Sequence, residues 1–300
     1  LPALAQGGPD KISLPREHRG KQVTISGDLY LPQGTAKVPA MVVHHGSGGV
    51  AERERTYAGE IAKLGVAALV LDSFKGRGVA DTVQDQSAVT NNEMLDDAFA
   101  ALKALANHPR IDGKRVGIVG FSKGGTVALL AAHDRRARAL PTELRFALHV
   151  PFYPSCSTQH YKPKSTGAPI YLLLGGADTY VGVAPCQEYA AVLKAEGARV
   201  EVTVYPGAAH GFDTGSAYRI AKGENYSKCV FAEQPDGTWK ERISGATTMD
   251  AKGQRNDAGL KQALSACRTL GVSGGPNAAA KTKAMADLKG YVQRHLLEGK

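Results

Sequence analysis

Short apolar runs alternate with helical patterns over residues 38–210 of this sequence. The apolar runs, each typical of a strand buried on both faces, lie at residues 39–43, 66–71, 115–119, 146–150, 169–174 and 200–205. The helical patterns lie between these runs, at residues 53–64, 91–106, 123–132 and 185–196. Because strands that alternate with helices form a parallel sheet covered on both sides, the pattern predicts an α/β fold with a mostly parallel, twisted sheet.

The alternation changes at both ends of this region. Residues 21–31 alternate in the manner of an antiparallel edge hairpin, and Gly27 and Asp28 are its expected bend. Residues 214–272 are polar and rich in turns, and residues 278–297 form one more helical pattern with a single apolar face. We therefore expect an insertion on the main domain, followed by a closing helix.

Residues 1–19 are expected to form an N-terminal tail in front of a single domain at residues 20–300, which carries the insertion. Residues 3–5 are Ala-Leu-Ala, followed by Gln6, and this resembles the A-x-A end of a secretory signal. The alternative is a tail that contains alanines by chance.

The cysteine content also bears on the compartment. The chain has four cysteines, an even number that fits an exported protein with disulfides and allows three pairings. No C-x-x-C spacing occurs, so neither a zinc knuckle nor a thioredoxin-type site is expected. Four buried thiols that act as small apolar side chains are the alternative. Together with the signal-like tail, the cysteines favour a periplasmic or secreted protein.

Charge and hydropathy argue against several classes of partner. The formal net charge is +9, but Lys and Arg are scattered without a dense basic run, so no nucleic-acid partner is expected. No apolar run approaches the roughly 18 residues of a membrane span, so no membrane partner is expected. A monomer or homodimer that acts on a small molecule remains, and no metal or cofactor site is indicated.

A glycine-rich turn follows the third parallel strand of the pattern. Residues 120–124 read Gly-Phe-Ser-Lys-Gly and fit the G-x-S-x-G motif between a predicted strand and a predicted helix. The glycines leave room for a sharp turn, which exposes the hydroxyl of Ser122 above the sheet. The next backbone N–H lies at a helix N-terminus, where the dipole favours an oxyanion. Ser122 is the candidate nucleophile; the alternative is a serine that only caps the helix.

A serine nucleophile needs a base, and the base needs a carboxylate to orient it. His210 follows the last core strand in a loop of small residues, whereas the other histidines lie inside elements, before Ser122 or outside the core. Asp178 ends a buried strand in the Gly-Gly turn at residues 175–178. Its alternative role is that of a turn residue. All three candidates follow strand ends, the edge where open α/β sheets bind ligands.

The loop after the first parallel strand supplies the remaining candidate part. It reads His-His-Gly-Ser-Gly-Gly at residues 44–49. Its glycines allow the backbone to approach a substrate oxygen closely. We expect the backbone N–H groups of Ser47 and Lys123 to form an oxyanion hole, with Gly46 as the alternative to Ser47.

The motifs G-F-S-K-G-G, G-G-A-D and P-G-A-A-H-G-F, with H-G-S-G-G upstream, resemble the dienelactone hydrolase family of α/β-hydrolases. The resemblance covers about residues 20–213 and the last helix. It implies an α/β-hydrolase fold with Ser122 as nucleophile, Asp178 as acid, His210 as base and no metal.

The sequence departs from this family at three positions. The namesake enzymes have a cysteine where this chain has Ser122, and a glutamate in the loop that here contains His45. They also have an arginine soon after the catalytic histidine, where this chain continues with Phe212 and Asp213. A general carboxylic ester or lactone is therefore the expected substrate, rather than a dienelactone.

Several further residues are predicted to line the substrate site or to brace it. The substrate-binding candidates follow strand ends on the catalytic side: His45, Gly46, Phe74, Arg77, Phe152, Tyr153 and Phe212. Arg77 and Lys75 are candidates to hold an anionic substrate group, but solvated loop charges are the favoured interpretation. Because Cys156 and Cys186 flank Asp178 at neighbouring strand ends, we pair them, and we pair Cys229 with Cys267 inside the insertion.

The sequence thus predicts a serine hydrolase of esters or lactones. A peptidase of the prolyl-oligopeptidase type shares the core but usually has a large extra domain. A binding protein that kept the fold without turnover is the third possibility, and a complete set of nucleophile, base and acid argues against it.

Overall fold

The computed structural model describes residues 8–138, 140–141 and 144–298, so the signal-like residues 3–5 lie outside the described residues. Its strands, in chain order, are β1 (Asp10–His18), β2 (Lys21–Tyr30), β3 (Val38–His44), β4 (Ala67–Asp72), β5 (Ile111–Phe121), β6 (Leu148–Phe152), β7 (Thr158–Gln159), β8 (Ile170–Gly175), β9 (Val200–Tyr205), β10 (Tyr218–Asn225), β11 (Phe231–Glu233), β12 (Trp239–Glu241), β13 (Thr247–Met249) and β14 (Thr269–Gly274).

The α-helices are α1 (Glu52–Ala62), α2 (Asn91–Ala106), α3 (Lys123–Leu130), α4 (Asp134–Ala137), α5 (Ala184–Ala195), α6 (Asp257–Cys267) and α7 (Ala278–Val292). A short 3-10 turn forms at Lys75–Arg77, and a π-helical turn at Gln293–Leu297 continues α7. Across the described part of the chain, no helix combines the length and the apolar character that a membrane crossing requires.

The main sheet has eight strands in the order β1-β2-β4-β3-β5-β6-β8-β9. Six of these strands run parallel to one another: β4, β3, β5, β6, β8 and β9. At one edge, β1 pairs antiparallel with β2, and β2 pairs antiparallel with β4. This topology confirms the predicted α/β class. The carboxyl ends of the parallel strands all reach one edge, where the candidate residues follow.

Both faces of this sheet are covered. On β3, Ala40 and Val42 pack in a core with α2 and α3, whereas Met41 and Val43 pack on the opposite face with α1 and α7. Because neighbouring side chains of a strand point to opposite faces, a strand that is buried on both sides must be apolar throughout. This explains the uninterrupted apolar runs of the sequence.

The N-terminal hairpin differs from the prediction in two ways. Residues Asp10–His18, expected in the tail, form β1 and pair with β2. The chain turns at Arg19 and Gly20, both with positive φ, and not at Gly27. A Cβ at Gly27 would lie 2.6 Å from a methyl carbon of Leu69, so this glycine serves close packing inside β2.

The polar segment after the last parallel strand forms a separate small unit. Its first and last strands, β10 and β14, pair antiparallel, and Tyr218 faces Gly274. We therefore call residues 218–274 the insertion, slightly displaced from the expected 214–272. Strands β11 to β13 form a second sheet with β7 of the main domain. Disulfides join Cys229 to Cys267 and Cys156 to Cys186, as predicted.

Candidate active site

Ser122 occupies the turn between β5 and α3 in a strained backbone conformation. Its φ is +54° and its ψ is −113°, a combination that non-glycine residues rarely adopt. The flanking glycines make the turn possible. A Cβ at Gly120 would lie 2.1 Å from the carbonyl oxygen of Gly124, and one at Gly124 would lie 2.4 Å from that of His44. Larger residues at either position would collide with the backbone.

A continuous hydrogen-bonded relay runs from Ser122 through His210 to Asp178. The Nε2 atom of His210 lies 2.9 Å from Ser122 Oγ, and its Nδ1 atom lies 2.7 Å from Asp178 Oδ2. The second carboxylate oxygen, Oδ1, accepts the backbone N–H groups of Tyr180 and Val181 at 2.8 and 3.1 Å. Both carboxylate oxygens are therefore engaged, and the acid is fixed in one orientation.

The environment of Asp178 favours its ionised form. Burial alone would raise the pKa of this carboxyl. The nearby His210 ring and the two backbone N–H donors outweigh burial, so the pKa of Asp178 is lowered from its ordinary value. An ionised Asp178 accepts from Nδ1–H and leaves Nε2 with its lone pair toward the serine.

The ring of His210 packs against two tyrosines. Its centroid lies 4.8 Å from that of Tyr153 and 4.6 Å from that of Tyr180. The backbone carbonyl of His210 also accepts the N–H of Gly275 at 3.1 Å. The chain that returns from the insertion therefore supports the loop that carries this histidine.

The loop after β3 lies directly against Ser122. A Cβ at Gly46 would lie 3.1 Å from the carbonyl oxygen of Phe121 and 3.3 Å from Ser122 Cβ. The hydroxyl of Ser47 hydrogen-bonds to the side-chain amide of Gln86 at 3.1 to 3.2 Å. Lys123 is the first residue of α3, so its backbone N–H belongs to the free N-terminal turn. Both predicted oxyanion residues thus lie beside Ser122, the candidate nucleophile.

Two cavities border Ser122. The first has a volume of about 250 Å³ and is lined mostly by polar side chains, and we call it the Lys123 cavity. Its lining residues are Ser47, Gln86, Thr90, Asn91, Ser122, Lys123, Thr126, Ser155, Ser157, Thr158, Tyr180, Val181, Glu224, Tyr226 and Phe231. The second, of about 320 Å³, is lined by His210, Tyr153, Tyr218, Val83 and Ile220 among others, and we call it the His210 cavity. Ser122, Ser47 and Tyr180 border both cavities.

The side chain of Lys123 is buried in the wall of its cavity. Its ammonium group donates to Thr82 Oγ1 at 3.2 Å and to two oxygens of Gln86, at 2.8 and 3.1 Å. Burial lowers the pKa of Lys123 to about 8. Because Gln86 also contacts Ser47, this ammonium connects the turn that carries Ser122 to the loop that carries Ser47.

Arg53 closes the side of the His210 cavity. Its guanidinium donates to Glu54 and to the hydroxyl of Tyr153, and Tyr153 donates to Asp213 at 2.6 Å. Burial works against the charged form, but Tyr153, Glu54 and Asp213 raise the pKa of Arg53 overall. This network fixes Tyr153 against His210.

Among the predicted substrate-binding residues, Gly46 and Tyr153 line the His210 cavity, and the aromatic Phe74, Phe152 and Phe212 do not. Phe152 lies inside β6, two residues beyond the predicted end of that strand, and packs in the core facing α1 and α7. Phe212 joins the same core, and Phe74 packs in the core on the other face. These rings therefore support the site from behind.

The two predicted polar contacts, His45 and Arg77, are also internal. His45 Nδ1 lies 2.7 Å from the carbonyl oxygen of Gly46, and its Nε2 accepts the N–H of Ser73 at 3.1 Å. Arg77 forms a two-pronged ion pair with Asp97 at 2.6 and 2.9 Å, with both side chains almost fully buried. Its charge is compensated within the fold, which corrects the expectation that it binds an anionic substrate. Lys75 lies exposed beside it and lines neither cavity at Ser122.

The sequence reasoning missed several residues around Ser122. Tyr180 borders both cavities, and its position two residues after Asp178 was an available signal. Gln86 comes from an irregular polar loop, and Tyr218 and Glu224 come from the insertion. No local pattern indicated these contacts, because each depends on a long-range approach of two segments.

Comparison with known proteins gives a consistent assignment. The model of the family described as "Dienelactone hydrolase family" matches residues 25–230. The chain is 26% identical over 194 residues to the protein named "Probable 2-oxo-3-(5-oxofuran-2-ylidene)propanoate lactonase" from Bradyrhizobium sp, an alignment that covers 61% of this chain and 77% of the relative.

Two solved structures share the fold at low sequence identity. A dienelactone hydrolase-like promiscuous phosphotriesterase from metagenomic libraries has a TM-score of 0.61 at 16% identity, and the match covers 96% of this chain and 99% of that chain. The propionate-bound esterase 2 of Thermogutta terrifontis has a TM-score of 0.54 at 18% identity, and covers 70% and 88% of the two chains. Such identities establish the likeness of the folds.

Proposed function

Because the chain belongs to the dienelactone hydrolase family, we propose that it hydrolyses carboxylic ester or lactone bonds of small molecules through an acyl-enzyme on Ser122. The observation that carries this proposal is the relay of Ser122, His210 and Asp178, with separations of 2.9 and 2.7 Å. A hydroxyl at its own pKa is a weak nucleophile, and an adjacent, oriented base activates it.

In the first half of the reaction, Ser122 Oγ forms a bond to the carbonyl carbon while His210 Nε2 takes the hydroxyl proton. The tetrahedral oxyanion accepts hydrogen bonds from the backbone N–H groups of Lys123 and of Ser47. The carbon–oxygen bond to the alcohol then breaks, and the imidazolium of His210 donates its proton to the leaving oxygen. In a lactone, the alcohol remains attached to the acyl chain.

In the second half, a water molecule replaces the alcohol. His210 takes one proton from the water as the hydroxide attacks the acyl carbon. Collapse of the second tetrahedral intermediate breaks the bond to Ser122, and the imidazolium returns the proton to the serine. The products are the carboxylic acid and the alcohol, and Asp178 stays ionised throughout.

We propose that the protein carries out this activity in an oxidising compartment, the periplasm or the extracellular space. Two disulfides, one beside the acid loop and one inside the insertion, support this location, because thiols in the cytosol are normally kept reduced.

Hydrolysis of p-nitrophenyl acetate and butyrate by wild type and Ser122→Ala tests the proposal. We expect wild-type turnover with a burst of p-nitrophenol, and a loss of at least about 10³-fold in kcat for the variant. A serine-directed phosphonate should label Ser122 and abolish turnover. The absence of wild-type hydrolysis would contradict the enzyme assignment and favour a binding role. Hydrolysis that survives in Ser122→Ala would contradict the assignment of the nucleophile.

A further inference from the structure

We propose that the acyl part of the substrate is elongated, runs from Ser122 through the Lys123 cavity and ends in an anionic group bound at Arg136, in a groove beside the insertion. This inference rests on the proposed function and names the substrate class for the same site. Three observations carry it: the position of His210, the continuity of the cavities and the unpaired charge of Arg136.

The position of His210 assigns the two cavities to the two parts of an ester. The leaving oxygen must come within hydrogen-bond reach of His210 Nε2 to receive its proton. His210 lines the second cavity and not the first, so the alcohol lies in the His210 cavity. The acyl group then lies in the Lys123 cavity, among hydroxyl and amide side chains.

The Lys123 cavity continues into a larger groove. Four residues, Thr90, Asn91, Thr158 and Phe231, border both spaces, so the two meet there. The groove has a volume of about 740 Å³ and reaches Trp239, and we call it the Trp239 groove. The two spaces therefore adjoin beside the insertion, and an acyl chain that is longer than the first cavity would extend into the groove.

The charged side chains that line the Trp239 groove favour an anion in sum: the cations are Arg135, Arg136, Lys252 and Arg255, and the carboxylates are Glu233 and Asp250. Arg135 is paired with Glu233 at 2.8 Å, and Arg255 is paired with Asp257 at 2.6 Å. Arg136 lines the same groove, and no carboxylate among the described residues lies within ion-pairing distance of it.

Arg136 is also partly buried. Its Nε atom is shielded and has no hydrogen-bond partner among the described residues. Burial and the neighbouring Arg135 lower the pKa of Arg136 and outweigh the opposing effect of the Asp96 carboxylate, which lies beyond ion-pairing distance. A half-buried cation that forms no ion pair is costly, and a carboxylate or similar anion in the groove would offset that cost through charge-assisted hydrogen bonds.

Matched p-nitrophenyl esters test this arrangement, because their common leaving group keeps the His210 cavity constant. One series is hexanoate, octanoate and decanoate, and the other is the mono-esters of adipic, suberic and sebacic acid, which carry a terminal carboxylate. We expect at least one chain length at which the carboxylated ester exceeds its methyl-ended counterpart about tenfold or more in kcat/KM. Arg136→Gln should reduce this ratio to about one, mainly through KM.

Arg138→Gln is the matched control, since Arg138 is exposed next to α4, pairs with Asp134 and does not line the groove. It should keep the wild-type ratio. If Arg136→Gln does not fold, the wild-type ratio is measured at rising salt concentration, where it should fall because ions screen the charge pair.

Two results would overturn the inference: a ratio near one at every chain length in the wild type, or a preference that Arg136→Gln retains. Failure of the proposed function is distinguishable, because it would abolish hydrolysis of the methyl-ended esters as well.

Discussion

The main sheet and the insertion of this chain are stabilised in different ways. In the main sheet, residues such as Val42 and Val43 are completely buried on opposite faces, between two layers of helices. In the insertion, strands β11, β12 and β13 have three residues each, most of them only partly buried. A disulfide between Cys229 and Cys267 holds this unit together.

The two regions also contribute different residues to the candidate site. Ser122, Asp178 and His210 all follow strands of the buried sheet, where the surrounding core fixes each backbone. The insertion instead supplies side chains such as Tyr218 and Glu224 to the cavity walls. Under the proposed function, the groups that must meet within a few tenths of an ångström lie on the rigid part, while part of the cavity lining comes from the segment that is easier to vary.

The largest expected effect comes from Asp178→Asn, which tests the rigid region. The amide oxygen keeps accepting the backbone N–H groups of Tyr180 and Val181, so the NH2 group faces His210 and donates to Nδ1. His210 then carries its proton on Nε2, the wrong tautomer for a base. We expect kcat for p-nitrophenyl butyrate to fall by about 10⁴-fold, as the same change does in serine proteases. Asp236→Asn, in an exposed turn of the insertion, is the control and should change kcat by less than about threefold. Comparable losses in the two variants would contradict the proposed division.

A second prediction concerns the insertion itself. The double variant Cys229→Ser and Cys267→Ser opens a loop of 38 residues, which should lower the free energy of unfolding by about 3–4 kcal/mol. Urea unfolding measures this loss, and limited proteolysis should cut first within residues 218–274. The corresponding variant of Cys156 and Cys186 is the comparison, and it should lower kcat as well, since that bridge lies beside the acid loop. First cleavage within the main sheet would contradict this prediction.

A third and smaller effect concerns Lys123, where the two regions meet. The pKa of Lys123 is about 8 in the folded protein, against about 10.4 in an unfolded chain. Between these values the unfolded state binds more protons than the folded state, so this group makes stability rise with pH. The free energy of unfolding of the wild type, relative to Lys123→Met, should therefore rise by roughly 3 kcal/mol from pH 7.5 to 10.5. A flat difference would show that the ammonium is not perturbed by burial.

The sequence predicted the main sheet well because the sheet is buried on both faces. Each parallel strand then appears as a continuous apolar run, and each intervening helix as a stripe. The N-terminal hairpin was less predictable, because Gly27 has two meanings in a sequence. It can allow a turn, or it can allow close packing, and only the position of Leu69 distinguishes the two.

Some residues of the candidate site were likewise predictable from the sequence, and others were not. Ser122, Asp178 and His210 follow strand ends, and parallel strands bring such ends to one edge of the sheet, so the structure brings all three together. Arg77 looked free in the sequence because its partner, Asp97, lies 20 residues away on α2. Contacts of this kind depend on how a loop returns to a helix, and hydrophobic periodicity contains no information about them.

The pairing of Tyr218 with Gly274 has a consequence for how such a protein can change. The insertion leaves and re-enters the domain at one point, so a short turn could close the gap if the segment between were deleted. One recombination event could then remove, lengthen or exchange the whole segment without altering a strand of the main sheet. The N–H of Gly275, just after the insertion, donates to the carbonyl of His210. An exchange that displaced Gly275 would therefore change the position of His210 and lower turnover directly. A lineage could thus acquire a new substrate range in a single step and keep its inherited chemistry.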